Sequence, residues 1–160
     1  MSIDFNADEV FEIAEQIERN GAEFYRKVAD KVSEKNKKNL LLNLARMEDE
    51  HEQIFKTLRA QLTTDEKIQN TFDPNGESES YLHALANTRI FYEKKVDTSS
   101  YEAILKSAIT AEKDSIVFYL GMKEVIPTEE GKYRMDDIIR EEMSHIKLLS
   151  NELIEFKESC

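Results

Sequence analysis

Two short segments concentrate the chemistry of this chain, Glu48-x-x-His51 and Glu142-x-x-His145. On a helix, residues three apart share a face, so each glutamate and its histidine can reach one point in space. A carboxylate and an imidazole converging on a point make a transition-metal donor set, suited to iron or manganese better than to calcium. A single such pair is weak evidence in a glutamate-rich chain, where chance often places Glu three residues before His. Here two of the three histidines have it, and each pair begins 30 residues after another acid, Glu18 or Glu112, that is itself followed seven residues later by Tyr25 or Tyr119.

These residues recur in a fixed register. Displacing the chain by 94 residues superposes Ala14 on Ala108, Glu18 on Glu112, Phe24 on Phe118, Tyr25 on Tyr119, Glu48 on Glu142 and His51 on His145. The halves therefore read as two pseudo-symmetric helical hairpins. Asn6 with Glu9 has the pattern of a helix start, and the seam Ala7, Phe11, Ala14, Glu18, Gly21, Tyr25, Val28 alternates four-residue and three-residue steps, predicting a helix to about Val32. A second helix, from after Asn36 to about Leu62, has the seam Leu41, Leu44, Glu48, His51, Phe55, Leu58, Leu62. Ser99 with Glu102 predicts the start of a third, with Tyr101, Leu105, Ala108, Glu112, Ser115, Tyr119 and Met122 inward as far as Pro127. Thr128 opens a fourth, to about Phe156, with Met135, Ile138, Glu142, His145 and Leu149 inward. Residues 63–78 hold Pro and Gly turn signals with no sustained period and a short helix could start at Ser80, so 63–98 reads as a crossover connection within one domain spanning 1–160. The expectation is an all-α four-helix bundle with a long crossover between helices 2 and 3.

The seams point four carboxylates and two imidazoles at the core. Burying them without partners would cost several kcal/mol per charge, beyond what a marginally stable domain tolerates. Two divalent cations would balance the four glutamates, so the residues call for a two-metal site. Tyr25 and Tyr119 read equally well as plain core aromatics or as hydroxyls hydrogen-bonded to a ligating carboxylate. Phe24, Leu44, Phe55, Phe118 and Ile138 read as core, the acidic runs Glu48 to Glu52 (Glu48 apart) and Glu129 to Glu130 as solvated faces, and His83 as a crossover residue outside the pattern.

Composition narrows the function classes. With 22 Lys+Arg against 33 Asp+Glu, the formal net charge of −11 repels nucleic acid and anionic membranes. No apolar run approaches a membrane span and no signal-peptide pattern opens the chain, so a cytoplasmic protein is expected. Cys160 is the only cysteine, which excludes a Cys-ligated zinc or iron–sulfur site built within these residues, and its terminal position reads as an inert thiol. Four Gly and two Pro in 160 residues fit long uninterrupted helices.

The stretches IERNGAEFYRK around Glu18, MEDEH at 47–51, AEKDSIVFY around Glu112 and REEMSH at 140–145 resemble the ferritin-like di-iron carboxylate proteins and, among them, the rubrerythrin-like group. The resemblance covers the chain outside the crossover. It implies two iron ions, with manganese or zinc as other occupants: Glu18 and Glu112 each on one ion, Glu48 and Glu142 bridging, His51 and His145 completing one ion apiece. It also implies reduction of hydrogen peroxide, or reaction with dioxygen, in a homodimer.

Three departures from the family's patterns qualify this. A rubredoxin domain needs cysteines that these residues lack, so an external donor such as a rubredoxin-like protein is expected. Ser115 stands where rubrerythrins place a second glutamate, which puts a redox-linked ligand switch in doubt. Asp49 follows Glu48 where bacterioferritins carry their haem-binding methionine, with Met143 in the corresponding place only in the fourth helix, and residues 146–160 are too few to add a ferritin cage's fifth helix. Iron handling with ferroxidase activity, and a bundle whose metal is purely structural, are the other functions the same residues would serve.

Overall fold

A computed structural model describes residues 6–64, 77, 80–82, 84 and 96–160. Four helices carry the chain: α1 Ala7–Ala29, α2 Lys35–Ala60, α3 Tyr101–Val125 and α4 Glu129–Glu158. Three begin on a side-chain cap. Asn6 accepts from the Glu9 amide at 2.9 Å, Ser100 from Ala103 at 3.1 Å and Thr128 from Gly131 at 3.0 Å, each satisfying a donor that the first helical turn leaves free. The cap of α3 is thus Ser100, one residue later than the expected Ser99. Ser99 instead turns its amide and hydroxyl to Asp97, at 3.0 and 2.6 Å. Helix α1 stops at Ala29, short of Val32, because the chain tightens there: Lys31 and Val32 donate to carbonyls three residues back, at 3.1 and 3.2 Å. Val32 still packs against the core.

Short connections fold α1 onto α2 and α3 onto α4 as two hairpins, and the α1–α3 and α2–α4 faces approach more sparsely. The seams face inward as expected. Along α1, Val10 to Ile17 join one apolar cluster and Tyr25 to Ala29 another, with Glu18 between them. Along α2 the order reverses, Leu41 to Ala45 first, then Glu48 and His51, then Phe55 and Leu58. The polar residues therefore form a layer across the middle of the bundle, with an apolar cluster at each end. Phe55 is central to one of these, against Phe11 at 6.4 Å and Tyr119 at 5.3 Å between ring centroids.

Part of the crossover adds to that cluster. Ser80, Tyr81, Leu82 and Ala84 are helical, in keeping with the expected short helix, and Leu82 is fully buried. Tyr81 donates to the Val117 carbonyl at 3.1 Å. Its ring lies where α3 has Gly121, on which a Cβ would stand 2.6 Å from the ring carbons. A bare glycine here lets the crossover lie directly on the helix. Residues 65–76, 78–79, 83 and 85–95 of the crossover, His83 among them, fall outside the described residues.

Among the described residues there is no strand, and no helix is long and apolar enough to cross a membrane. Truncating Phe55 to Ala removes a ring with no exposed surface and should destabilise the protein by about 3–5 kcal/mol. Denaturant unfolding at matched metal content measures this, and a loss below about 1 kcal/mol would show that the cluster does not depend on it.

Candidate metal centre

All six residues singled out by spacing meet in the polar layer. Glu18, Glu48, His51 and Glu142 form one group, and Glu48, Glu112, Glu142 and His145 a second, with the ligand atoms of each group within 4.8 Å of one another. Glu48 and Glu142 belong to both groups. All six residues are buried, Glu18 and Glu142 completely. The imidazoles stack with centroids 5.8 Å apart and planes 19° from parallel.

The histidines present Nδ1 to the carboxylates. His51 Nδ1 lies 2.7 Å from Glu142 and 3.5 Å from Glu18, and His145 Nδ1 lies 3.2 Å from Glu48 and 3.4 Å from Glu112. None of these approaches has hydrogen-bond geometry. Both Nδ1 atoms, His145 Nε2, both Glu142 oxygens, and one oxygen each of Glu18, Glu48 and Glu112 are buried with no hydrogen-bond partner among the described residues. Native cores leave few such atoms, and eight in one layer require an explanation. Atoms that crowd together without donating to one another are arranged as ligands about a common centre.

Electrostatics point the same way. Burial first, then the carboxylates of Glu18 and Glu112, push Glu48 well above the usual carboxylate range. Burial likewise raises Glu142, reinforced by Glu112, Glu48 and Glu18. Burial pulls the His51 imidazolium down, but Glu18 and Glu141 outweigh it and raise His51 to about 9. For Glu112, burial is outweighed by the proximity of Glu142 and His145 and by the hydrogen bond from Tyr25, which leave its carboxyl below the usual range. Glu48, Glu142 and His51 thus retain protons that offset the crowding, and cations would replace those protons. Oxygen and nitrogen donors in two overlapping groups, four carboxylates in all, fit a pair of divalent transition-metal ions.

The tyrosines cross between the halves. Tyr25 donates to Glu112 at 2.6 Å, and Tyr119 donates to Glu18 in a short hydrogen bond. Each hydroxyl therefore serves the glutamate of the opposite hairpin, seven residues from its own. Burial, then the nearby carboxylates, raise both phenols well above their ordinary value, so they remain donors. Gly21, one turn beyond Glu18, makes room for Glu48, since a Cβ there would lie 3.0 Å from Glu48 Oε2. A cavity of about 590 Å³ opens between α1 and α3, its wall including Gly21, Tyr25, Glu48, Glu112 and Ser115.

Sequence reasoning missed some participants. Glu141 bonds His51 Nε2 through a short contact, although its side chain is half exposed. Glu52, expected on a solvated face, is buried between Arg19 at 2.7 Å and Lys56 at 2.9 Å. Glu15 is buried against Arg59 at 2.9 Å, and Arg59 also holds Asp8 at 2.8 Å. The Arg19 and Arg59 pairs tie α1 to α2. An acid three or four residues from another on a helix was the available signal, but it does not distinguish a solvated face from a paired one. Cys160 is exposed.

No protein-family model matches the chain, and no curated protein does. Among solved structures, it is similar to a Thermotoga maritima protein described as a ferritin-like diiron-carboxylate protein, with 23% identity, a TM-score of 0.69, and coverage of 94% of this chain and 96% of that one. The fold is ferritin-like.

Replacing Glu48 or Glu142 with Ala should cost at least one of two bound cations, counted by elemental analysis after dialysis, and two tightly held ions in either variant would refute their shared role. The metal-free protein should also lose stability as pH rises. Glu48 and Glu142 keep protons in the native state above the ordinary carboxylate value of 4.5, and His51 keeps its proton to about 9 rather than 6.5. The native state then binds more protons than the unfolded one, and its stability declines with pH. Melting temperature should fall between about pH 6.5 and 9 without metal and change less with metal bound, whereas a rise in the metal-free protein would contradict the assignment.

Proposed function

We propose that the chain is a rubrerythrin-like di-iron oxidoreductase that reduces hydrogen peroxide with electrons from an external donor, of the rubredoxin-like kind. The observation carrying this reading is the set of partnerless buried donor atoms, both His Nδ1 atoms among them, gathered around two shared carboxylates. Two ferrous ions would supply the two electrons that, with two protons, convert one hydrogen peroxide to two waters.

The side chains have defined parts in this. Glu48 and Glu142, belonging to both groups, would hold the ions as neighbours. Glu18 and Glu112 would each cap one ion, and the hydroxyls of Tyr119 and Tyr25 fix which oxygen they turn inward. Ser115 keeps its hydroxyl on the Ala111 carbonyl at 3.0 Å, so it is occupied within its own helix, and the cavity beside it gives a small oxidant a way in. The apolar clusters on either side keep water from the layer. With Cys160 as the sole cysteine, these residues hold no thiolate cluster to deliver electrons, hence the external donor. A homodimer in the cytoplasm completes the proposal.

Anaerobic loading with ferrous iron, an iron count per chain, and one equivalent of peroxide test it. Two irons per chain oxidised by one peroxide, with diferric absorbance, are expected. Zero or one iron, or two ferrous ions unmoved by peroxide, would overturn it, and a large assembly accumulating ferric mineral would replace it with iron storage.

A further inference from the structure

The two halves of the polar layer occupy equivalent positions, yet the hydrogen bonds behind their imidazoles differ. His51 turns Nδ1 toward Glu18 and Glu142 and places Nε2 on the carboxylate of Glu141 in α4. His145 turns Nδ1 toward Glu48 and Glu112, but its Nε2 is buried and has no hydrogen-bond partner among the described residues. The 94-residue register accounts for the difference. The position on α2 equivalent to Glu141 is Met47, whose thioether is only a weak acceptor.

A carboxylate behind a ligating imidazole fixes the tautomer, orients the ring and raises its basicity, and loss of such a partner typically costs about 10–100-fold in metal affinity. His51 has that support and His145 does not. The cavity between α1 and α3 breaks the symmetry in the same sense. Its wall includes Glu112 and the shared Glu48, whereas neither Glu18 nor His51 lines it. The less supported half-site is thus the one with open space beside it.

We propose that the two cation positions are unequal by construction. The position of Glu18 and His51 is the tight, resident one. The position of Glu112 and His145 is weaker and exchangeable, and it receives an exogenous anionic oxygen or nitrogen ligand from the cavity. Glu141 acts as a positioning residue for the tight position, and Met47 is the departure that makes the other weak. This inference rests on the two-metal reading above.

Titration of the metal-free full chain with Co²⁺, followed by calorimetry and visible absorption, tests it. Two resolved steps are expected, with dissociation constants at least about tenfold apart. Glu141→Ala should weaken the first step by about 10–100-fold and leave the second nearly unchanged, Glu141→Gln should fall between, and Met47→Glu should strengthen the second step. Metal-free Glu141→Ala should keep the helical content of the parent and lose only the stability that its bond to His51 contributes, and confinement of its binding effect to the first step separates positioning from a general structural role. Azide, used as the anionic probe, should shift the spectrum of the two-cobalt form and leave the one-cobalt form unchanged. Two indistinguishable steps in the parent, a Glu141→Ala effect spread equally over both steps or absent, or an azide response in the one-cobalt form would overturn the inequality while leaving a two-metal centre standing. Binding of fewer than two cobalt ions at saturation would overturn the two-metal reading, and the inequality with it.

Discussion

Four carboxylates in the middle of a helical core set the terms for the rest of the molecule. Glu18, Glu48, Glu112 and Glu142 have almost no exposed surface, and a buried charge without compensation costs more than any single apolar contact returns. The bundle therefore surrounds a polar layer that needs cations, with apolar clusters above and below to keep it dry. Helix lengths follow from this arrangement. Each helix runs past the layer in both directions, so that its seam contributes to both clusters and its acid lies between them.

Holding that layer together takes contacts that run between hairpins as well as within them. The hydroxyls of Tyr25 and Tyr119 exchange partners across the pseudo-twofold, Tyr25 bonding Glu112 and Tyr119 bonding Glu18 of the other half. Such reciprocal bonds lock the relative height of α1 and α3 where direct packing between those helices is sparse. On the outer side, Arg59 and Arg19 clamp α1 to α2 through Asp8, Glu15 and Glu52. From the crossover, Leu82 enters the core at the helix face that Gly121 leaves bare.

Much of this was legible in the sequence because helical geometry and burial both leave a periodic trace. The three-and-four spacing of the seams, with Glu18, Glu48, His51, Glu112, Glu142 and His145 at their centres, placed each side chain on an inward face before any packing was known. What stayed hidden depends on distances between helices. Nothing in the spacing of Tyr25 says that its partner is Glu112 and not Glu18, since both are compatible with an inward hydroxyl. Glu141 is itself half exposed and Glu52 lies in an acidic run, so their spacing does not mark them out, and only the approach of His51 or Arg19 does. Ser99 and Ser100 are equally good caps by residue type, and the choice fell to Asp97, which engages the first and frees the second.

The 94-residue register has a consequence for how such a centre can change. Two identical hairpins associating as separate chains would have to carry the same residue at both copies of every position. Joined in one polypeptide, they need not: Met47 stands opposite Glu141 and Gly21 opposite Ser115. Covalent linkage releases each half from being its twin's copy, so one hairpin can specialise in retention and the other in access. The long crossover is the covalent tether that would permit such a division of labour.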